Sequence, residues 1–557
     1  MTERPDLTAS QWLSNLEEPS DPWRRVLHGI YGNAPLRPRV ALLRQAVEGY
    51  ISHFGEGPVR CFRSPGRINL RGMHVDTHGG YLNLLTHDRE VVVVCQARED
   101  SRCVLRNLDH QHAPVDADLS DYRELMCSCG HDWLEFIATE QLSSLPPTWE
   151  RYALGAILRA QWTGEVRPMM GVNAFVASDL PQGSALSSSA ALCLALIRAV
   201  SALSGKTSSA REDILACRDA EWFTGARTGT SDPAAMILGG AGVMAHVALL
   251  AEDFSLDTLQ RIPFPEDEIA VVVAESNTTR SLRGSALLGY VRNRAAYSIA
   301  LEVFRQEMYG MGIAEPTVAF CDRLSRIDAA ALGGIRYLAA VLSRVPESLE
   351  LEALRQRYEL PELDAVLARY FGALPMQDWP KEIPLRGPLV FGIAESHRAA
   401  CFGEAVRQGD WVRAGHLMSR GHDGDRGISG PGEAFDRTVT ARDIARLGDD
   451  SIKLEDLPGD YGASAPVLDT LVDAALGAGA LGASLTGAGI AGSVIALCRR
   501  DDAPKVHDAL RGLLCSEAYA RIAGFEEALS PSAAEASVSI NATVAPAGEL
   551  PPPALFG

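Results

Sequence analysis

Arg67, His74 and Asp76 fall within one short stretch, Ser64-Pro65-Gly66-Arg67-Ile68-Asn69-Leu70-Arg71-Gly72-Met73-His74-Val75-Asp76-Thr77-His78-Gly79-Gly80-Tyr81, between two strand-like runs. An imidazole and a carboxylate two residues apart can hold the hydroxyls of a polyol while a guanidinium waits beside them as a cation. A second stretch, Pro181-Gln182-Gly183-Ser184-Ala185-Leu186-Ser187-Ser188-Ser189-Ala190-Ala191, runs from a glycine-containing loop through three serines into a strong helical pattern. A helix N-terminus offers unpaired N–H groups and a partial positive charge, which suit a phosphate, and serine hydroxyls can ligate Mg²⁺. An ordinary serine-capped helix carries the same pattern. No lysine follows the glycine, so this is not a Walker A loop.

Between these and the C-terminus lie two further candidates. In Glu221-Trp222-Phe223-Thr224-Gly225-Ala226-Arg227-Thr228-Gly229-Thr230-Ser231-Asp232-Pro233 two carboxylates flank a Gly/Thr loop. One could hold Mg²⁺ while the other accepts a hydroxyl proton, and phosphoryl transfer asks for little more than positioning and charge neutralisation. Taken singly, either carboxylate is equally a helix cap or a surface charge. Ser484-Leu485-Thr486-Gly487-Ala488-Gly489-Ile490-Ala491-Gly492-Ser493 reads as a nucleotide contact or as tight helix–strand packing that admits only small residues.

The elements that must position these groups mix strands and helices without regular alternation. Val40, Leu43, Val47 and Tyr50/Ile51 recur at helical spacing. Cys61 to Leu70, Glu90 to Ala97, Met170 to Ala177 and Ala270 to Ala274 read as strands. Leu287 to Met311 reads as a long helix, 320–375 as helical throughout, and 420–460 as a polar mobile loop. Ala483 to Leu497 reads as loop then strand, and the alternating Val538, Ile540, Ala542 and Val544 as a terminal strand. The expected fold class is α+β. The expected division is a flexible arm (1–35), an N-terminal domain (36–250), a C-terminal domain (251–548) with a helical insertion at about 320–375, and a tail (549–557).

With 557 residues and 46% hydrophobic composition the chain can build more than one core. A net charge of −19 argues against a nucleic-acid partner, which calls for a basic face. Met1 to Asn15 lacks the apolar core of a secretory signal. Leu186 to Ile197 is too short to span a membrane, and six glycines interrupt Ala474 to Cys498, so no membrane partner is expected. The eleven cysteines are scattered without a metal-like cluster and read as reduced, which places the chain in the cytoplasm.

The three motifs, in this order and rough spacing, resemble the galactokinases of the GHMP kinase superfamily from about residue 40 to 548. Pro65 to Leu70 with His74, Asp76 and Gly79-Gly80 is similar to the galactokinase signature. Leu186 to Ala191 resembles the second family motif and Leu485 to Gly489 the third. Ser276 to Leu282, Tyr290-Val291-Arg292-Asn293-Arg294 and Ser464 to Asp469 also look galactokinase-like.

The resemblance implies a GHMP kinase fold of two α+β domains with the active site in the cleft between them, and ATP and Mg²⁺ as cofactors. It implies Asp232 as the catalytic carboxylate and Arg67 as its partner on the transferring phosphoryl group. His74, Asp76, Met73, Gly229 and Tyr290 would bind the sugar. Pro181, Gly183, Ser184, Ala185, Leu186, Ser187, Ser188, Ser189, Gly487 and Gly489 would bind ATP, and Ser189 and Glu221 the metal. A sugar, ATP and at most weak self-association are the expected partners.

Two departures bear on the substrate. Galactokinases carry Glu where this chain has Met73, at the residue facing the sugar's hydroxymethyl end, and methionine is only a weak acceptor. Galactose is therefore joined by galacturonate, arabinose or a modified sugar as a candidate, and Arg71 and Arg227 are cations near the site that could meet a carboxylate. The Glu221–Asp232 spacing is one residue shorter than in typical galactokinases. A galactokinase-like sugar sensor without catalysis is the alternative from another class, but its serine motif would be altered, and here it is intact.

Overall fold

The computed structural model of the chain describes residues 6–17, 19–129, 132–139, 148–162, 169–225, 228–250, 253–278, 285–372, 376–430 and 432–552. Its first sheet is organised around two long neighbours, Pro58–Arg71 and Tyr81–Ala97, which pair antiparallel. Val172–Ser178 adds beside the second of them and Arg102–Asn107 pairs parallel to that strand. The sheet is covered on both faces, and the run Val91–Val94 shows how. Val91, Val93 and Cys95 enter one core, while Val92 and Val94 enter the other, following the two-residue period of a strand. A continuous β-branched run is what such a doubly buried strand requires. Helix Leu36–Phe54 covers one face; Ser188–Leu203, packed with Trp149–Ala160 and Ala210–Trp222, covers the other.

The second sheet has four antiparallel strands in the order Gly482–Thr486, Ser493–Arg499, Ile269–Glu275, Val538–Asn541. Helices Pro466–Gly477 and Ala503–Leu514 pack on it. Helix Arg386–Gln408 rests on strand Tyr81–Ala97 of the first sheet, and its neighbour Trp411–Asp423 on strand Gly482–Thr486 of the second, so this helical pair joins the two sheets.

Several sequence expectations are corrected. The described residues of the expected flexible arm, 6–17 and 19–35, are folded onto the first sheet. Leu7–Thr8 pairs with the start of strand Pro58–Arg71, and helices Ala9–Glu17 and Asp21–Tyr31 follow. Their polar average hides Trp12, Leu16, Trp23, Leu27 and Tyr31, all buried, with Trp12 edge-on to Trp23 at 6.2 Å. The 320–375 region is not helical throughout. Gly333-Gly334, Pro346 and Pro361 divide it into helices Ile335–Arg344, Leu351–Arg357 and Leu363–Phe371, with a strand, Ser348–Glu350, between the first two.

The 420–460 region is largely folded rather than a mobile loop. Helix Ala441–Gly448 opens on a Thr440/Asp443 capping box, and the buried Asp469 carboxylate accepts the amides of Gly427 and Ile428. At the C-terminal end the last strand of the second sheet stops at Asn541, and the chain returns to the first sheet, where Gly548–Glu549 pairs with Phe62–Arg63.

Candidate active site

A cleft of about 570 Å³ lies where strand Pro58–Arg71 and the N-terminus of helix Ser188–Leu203 face the loop after Gly482–Thr486. At its centre Arg67 Nε donates to Asp232 Oδ1 at 2.6 Å, and another guanidinium nitrogen donates to the Ala185 carbonyl. Ser187 Oγ donates to the other Asp232 oxygen. Asp232 sits in the first turn of helix Ser231–Leu238, whose N-terminal partial charge favours an anion there. Gly487 has φ +80°, and a Cβ on it would lie 3.1 Å from Arg67 Nη2 and 3.0 Å from the Ala185 Cβ. The third motif is therefore glycine-rich because it passes directly over the catalytic candidates.

The serine helix closes one side of the cleft. Ser187, at its N-cap, is left-handed with φ +62°, as is Ala185, and no side chain among the described residues caps the first turn. Such backbone costs about 1–3 kcal/mol per residue and persists where the surroundings enforce it, commonly at ligand-binding segments. Ser189 Oγ donates to Glu221 Oε1 at 2.7 Å and Thr228 Oγ1 to Oε2 at 3.1 Å. Burial, reinforced by the negative charge of Asp232, pushes the Glu221 carboxyl up to about 7. A hydroxyl and a carboxylate form a hard-oxygen set suited to Mg²⁺, and a divalent ion would relieve the two crowded carboxylates.

The other side is the His74/Asp76 loop. Ser231 N approaches Asp76 Oδ2 at 3.4 Å, and a Cβ on Gly229 would collide with that oxygen, so only glycine leaves the carboxylate room. His74, at φ +62°, stacks on Tyr461 with ring centroids 4.4 Å apart, and its Nε2 lies 3.6 Å from Asp425 Oδ1. Burial pushes Asp425 up to about 7. Met73 is buried against the same cleft, and Arg294 also lines it.

The loop is held from behind by Glu395. One of its oxygens accepts Arg71 Nε at 2.6 Å and the amides of Gly72 and Met73, each at 2.9 Å; the other accepts Arg398 Nε at 2.9 Å.

Arg67, Met73, His74, Asp76, Gly183, Ala185, Ser187, Ser188, Ser189, Glu221, Gly229, Asp232, Gly487 and Gly489 thus share one cleft. Three expected ATP contacts do not line it. Leu186 is core, and its carbonyl accepts the Arg67 amide; Ser184 is buried, with its hydroxyl on the Pro181 carbonyl. Pro181, Ser184 and Leu186 shape the loop instead. The expectation for Arg71 is corrected too: it is fully buried, bound to Glu395 and the Met418 carbonyl, and does not line the cleft. Arg227 and the Tyr290 side chain lie outside the described residues. Sequence reading missed Glu395, Asp425 and Tyr461, which come from hundreds of residues away and carry no local motif.

Three segments of the chain match known family models. Residues 48–97 match the galactokinase galactose-binding signature, 151–240 the GHMP kinases N terminal domain and 433–514 the GHMP kinases C terminal domain. The galactokinase of Chloroflexus aurantiacus is 28% identical over 428 residues, covering 76% of this chain and 80% of that one. The human galactokinase is 29% identical over 280 residues, 49% of this chain and 64% of that one. In fold, Lactococcus lactis galactokinase complexed with galactose superposes with a TM-score of 0.57 at 18% identity, covering 90% of this chain and 98% of that one. The chain thus carries matches to the N terminal and C terminal domains of the GHMP kinases and to the galactose-binding signature of galactokinases. These matches make it an ATP-dependent kinase. No helix among the described residues is long and apolar enough to cross a membrane.

Proposed function

We propose that this chain transfers the γ-phosphoryl group of ATP to the anomeric (C1) hydroxyl of galactose or a galactose-like sugar. The observation that carries this reading is the Arg67–Asp232 pair, set between the Asp76/His74 loop on one side and the serine helix on the other. A sugar held by Asp76 and His74 presents a hydroxyl to Asp232 Oδ2, displacing the Ser187 hydroxyl that now occupies it. Asp232 orients that hydroxyl and takes its proton. A carboxylate suffices there, because the transferring phosphoryl group is loosely bound to both oxygens in the transition state. Arg67 faces the charge that develops on the phosphoryl oxygens.

The amides at the start of helix Ser188–Leu203, with Gly183 and the Gly487–Gly489 turn, receive the ATP phosphates. Ser189 and Glu221 would hold Mg²⁺, which supplies charge neutralisation on those phosphates. A uronic acid such as galacturonate, or a pentose such as arabinose, is the second reading. It is favoured by an apolar Met73 and a cationic Arg294 in the same cleft.

The test is ADP release with Mg-ATP over galactose, galacturonate, glucuronate, arabinose, fucose and N-acetylgalactosamine, for the wild type beside Asp232→Asn. Turnover with one of these sugars, reduced by roughly 10²–10⁴-fold in the variant, is expected. Turnover that survives in Asp232→Asn would remove Asp232 from the mechanism, and silence with every sugar would remove the sugar.

A further inference from the structure

At helix Arg386–Gln408, apart from the residues that line the substrate cleft, three side chains of metal-ligating type converge. His397 and Cys401 stand four residues apart and so share one face of the helix. Glu455 reaches them from the 3₁₀ turn Leu454–Asp456. His397 Nε2 lies 3.6 Å from Cys401 Sγ and 3.3 Å from Glu455 Oε2, and all three donor atoms are within 4.8 Å of one another. A tetrahedral Zn²⁺ with bonds of about 2.0 Å to nitrogen and oxygen and about 2.3 Å to sulfur separates its ligands by about 3.6 Å for N and S and about 3.3 Å for N and O. His397 already stands at those separations from Cys401 and Glu455, and Cys401 Sγ lies within 4.8 Å of the Glu455 oxygen.

We propose that His397, Cys401 and Glu455 form a site for one borderline divalent transition metal, Zn²⁺ by ligand chemistry, with water in the fourth position. Sulfur and imidazole disfavour Mg²⁺ and Ca²⁺, while thiolate and carboxylate together neutralise the ion's charge. Binding forms the S–, N– and O–metal bonds and releases the thiol proton, and any imidazolium proton, to solvent. Arg413 approaches the other Glu455 oxygen at 3.5 Å, leaving Oε2 to the ion. His397 and Cys401 are half-buried, which leaves access for the ion and its water.

The site's role is structural. The Glu455 and Leu457 carbonyls accept Arg398 Nη1 at 3.1 and 2.6 Å, and Arg398 holds Glu395 behind the sugar loop. An ion tying Glu455 to the helix therefore fastens the turn that supports that loop. None of the three ligands lines the cleft.

The full chain, freed of metal by chelator and dialysis, is titrated with Co²⁺. One equivalent should give a thiolate-to-cobalt charge-transfer band in the near ultraviolet and the intense visible bands of four-coordinate Co²⁺, both erased by Zn²⁺. Zn²⁺ should also raise the melting temperature. Cys401→Ser should lose the charge-transfer band and bind more weakly by more than the roughly 10–100-fold that loss of an outer-shell partner costs. His416→Ala, which alters a neighbouring surface pair with Asp456, should behave as wild type. If Cys401→Ser fails to fold, His397→Gln takes its place with the same expectation. The absence of a charge-transfer band at stoichiometric Co²⁺, or a band that persists in Cys401→Ser, would mean that the three residues form only an ion pair and a thiol hydrogen bond.

Discussion

Glu221 is a residue whose charge the cleft tolerates poorly without a cation. It is almost wholly buried, and burial first and Asp232 second push its carboxyl from an ordinary 4.5 up to about 7. A carboxyl raised in the folded state contributes stability that is fully present below its unfolded pKa and lost as pH rises through the folded one. Metal-free protein should therefore lose stability between about pH 4.5 and 7, and buried Asp425, also raised to about 7, acts in the same direction. Glu221→Gln should be the more stable protein at pH 8 in chelator, by on the order of 3 kcal/mol, with the difference fading toward pH 5. The same variant should lose most Mg-ATP turnover. Denaturant titrations at the two pH values check this; equal stabilities at pH 8 would show that the buried carboxylate is not strained. Met73 is the other decisive residue. Met73→Glu should raise the ratio of galactose to galacturonate turnover at least about tenfold, since each 1.4 kcal/mol of like-charge penalty is a factor of ten. An unchanged ratio would place Met73 away from the sugar's C6 end.

At the scale of elements, the sugar loop is carried by a strand but fixed by a helix more than 300 residues later. Burial pushes the Glu395 carboxyl up, yet Arg71 and Arg398 hold it below the usual carboxylate range. Glu395→Gln keeps the acceptor for the Gly72 and Met73 amides but leaves two buried guanidiniums without their anion. It should cost roughly 3–5 kcal/mol of stability while sugar KM changes little. Gly229→Ala should do the reverse: its Cβ meets Asp76 Oδ2, so sugar KM rises with little loss of stability. Melting curves and sugar KM measured on both variants separate the two roles, and matched effects would refute the distinction. This contrast also explains what the sequence could and could not disclose. Local chemistry is written locally. The Arg67–Asp76 stretch, the serine helix and the Gly487–Gly489 turn are contiguous motifs, and they converge on one cleft. Arg71 belongs to the same motif, yet its partner Glu395 sits in an unremarkable helix, so a buried structural ion pair looked like a free cation. Tyr461 and Asp425 lie in a polar, glycine-rich stretch whose composition reads as loop. Only the packing against His74 turns them into part of the site.

Over the whole molecule, the two ends of the chain protect one edge. Leu7–Thr8 and Gly548–Glu549 lie end to end along strand Pro58–Arg71, pairing with Pro58–Val59 and with Phe62–Arg63. An uncovered edge on the sheet that carries Arg67 would be open to pairing with another chain. The ends also hold each other. Trp23 Nε1 donates to the Pro551 carbonyl at 3.2 Å, and the Leu550 amide donates to the Cys61 carbonyl at 2.8 Å. Glu549 adds an ion pair with Arg60 at 2.6 Å. The N-terminal helices looked like a loose arm because their apolar residues are few, and they are buried only by packing with helix Leu36–Phe54 and the tail into one core. Trp23→Ala should cost roughly 3–5 kcal/mol, and removal of residues 548–557 should also destabilise. Neither change should alter kcat or the sugar KM, because neither segment reaches the cleft. Combined, the two should cost less than their sum, since Trp23 and the tail lose the same contact only once. Denaturation of the wild type, both single variants and the double variant measures this coupling. A strictly additive result would mean that each end stabilises the sheet on its own, and that the contact between them contributes nothing.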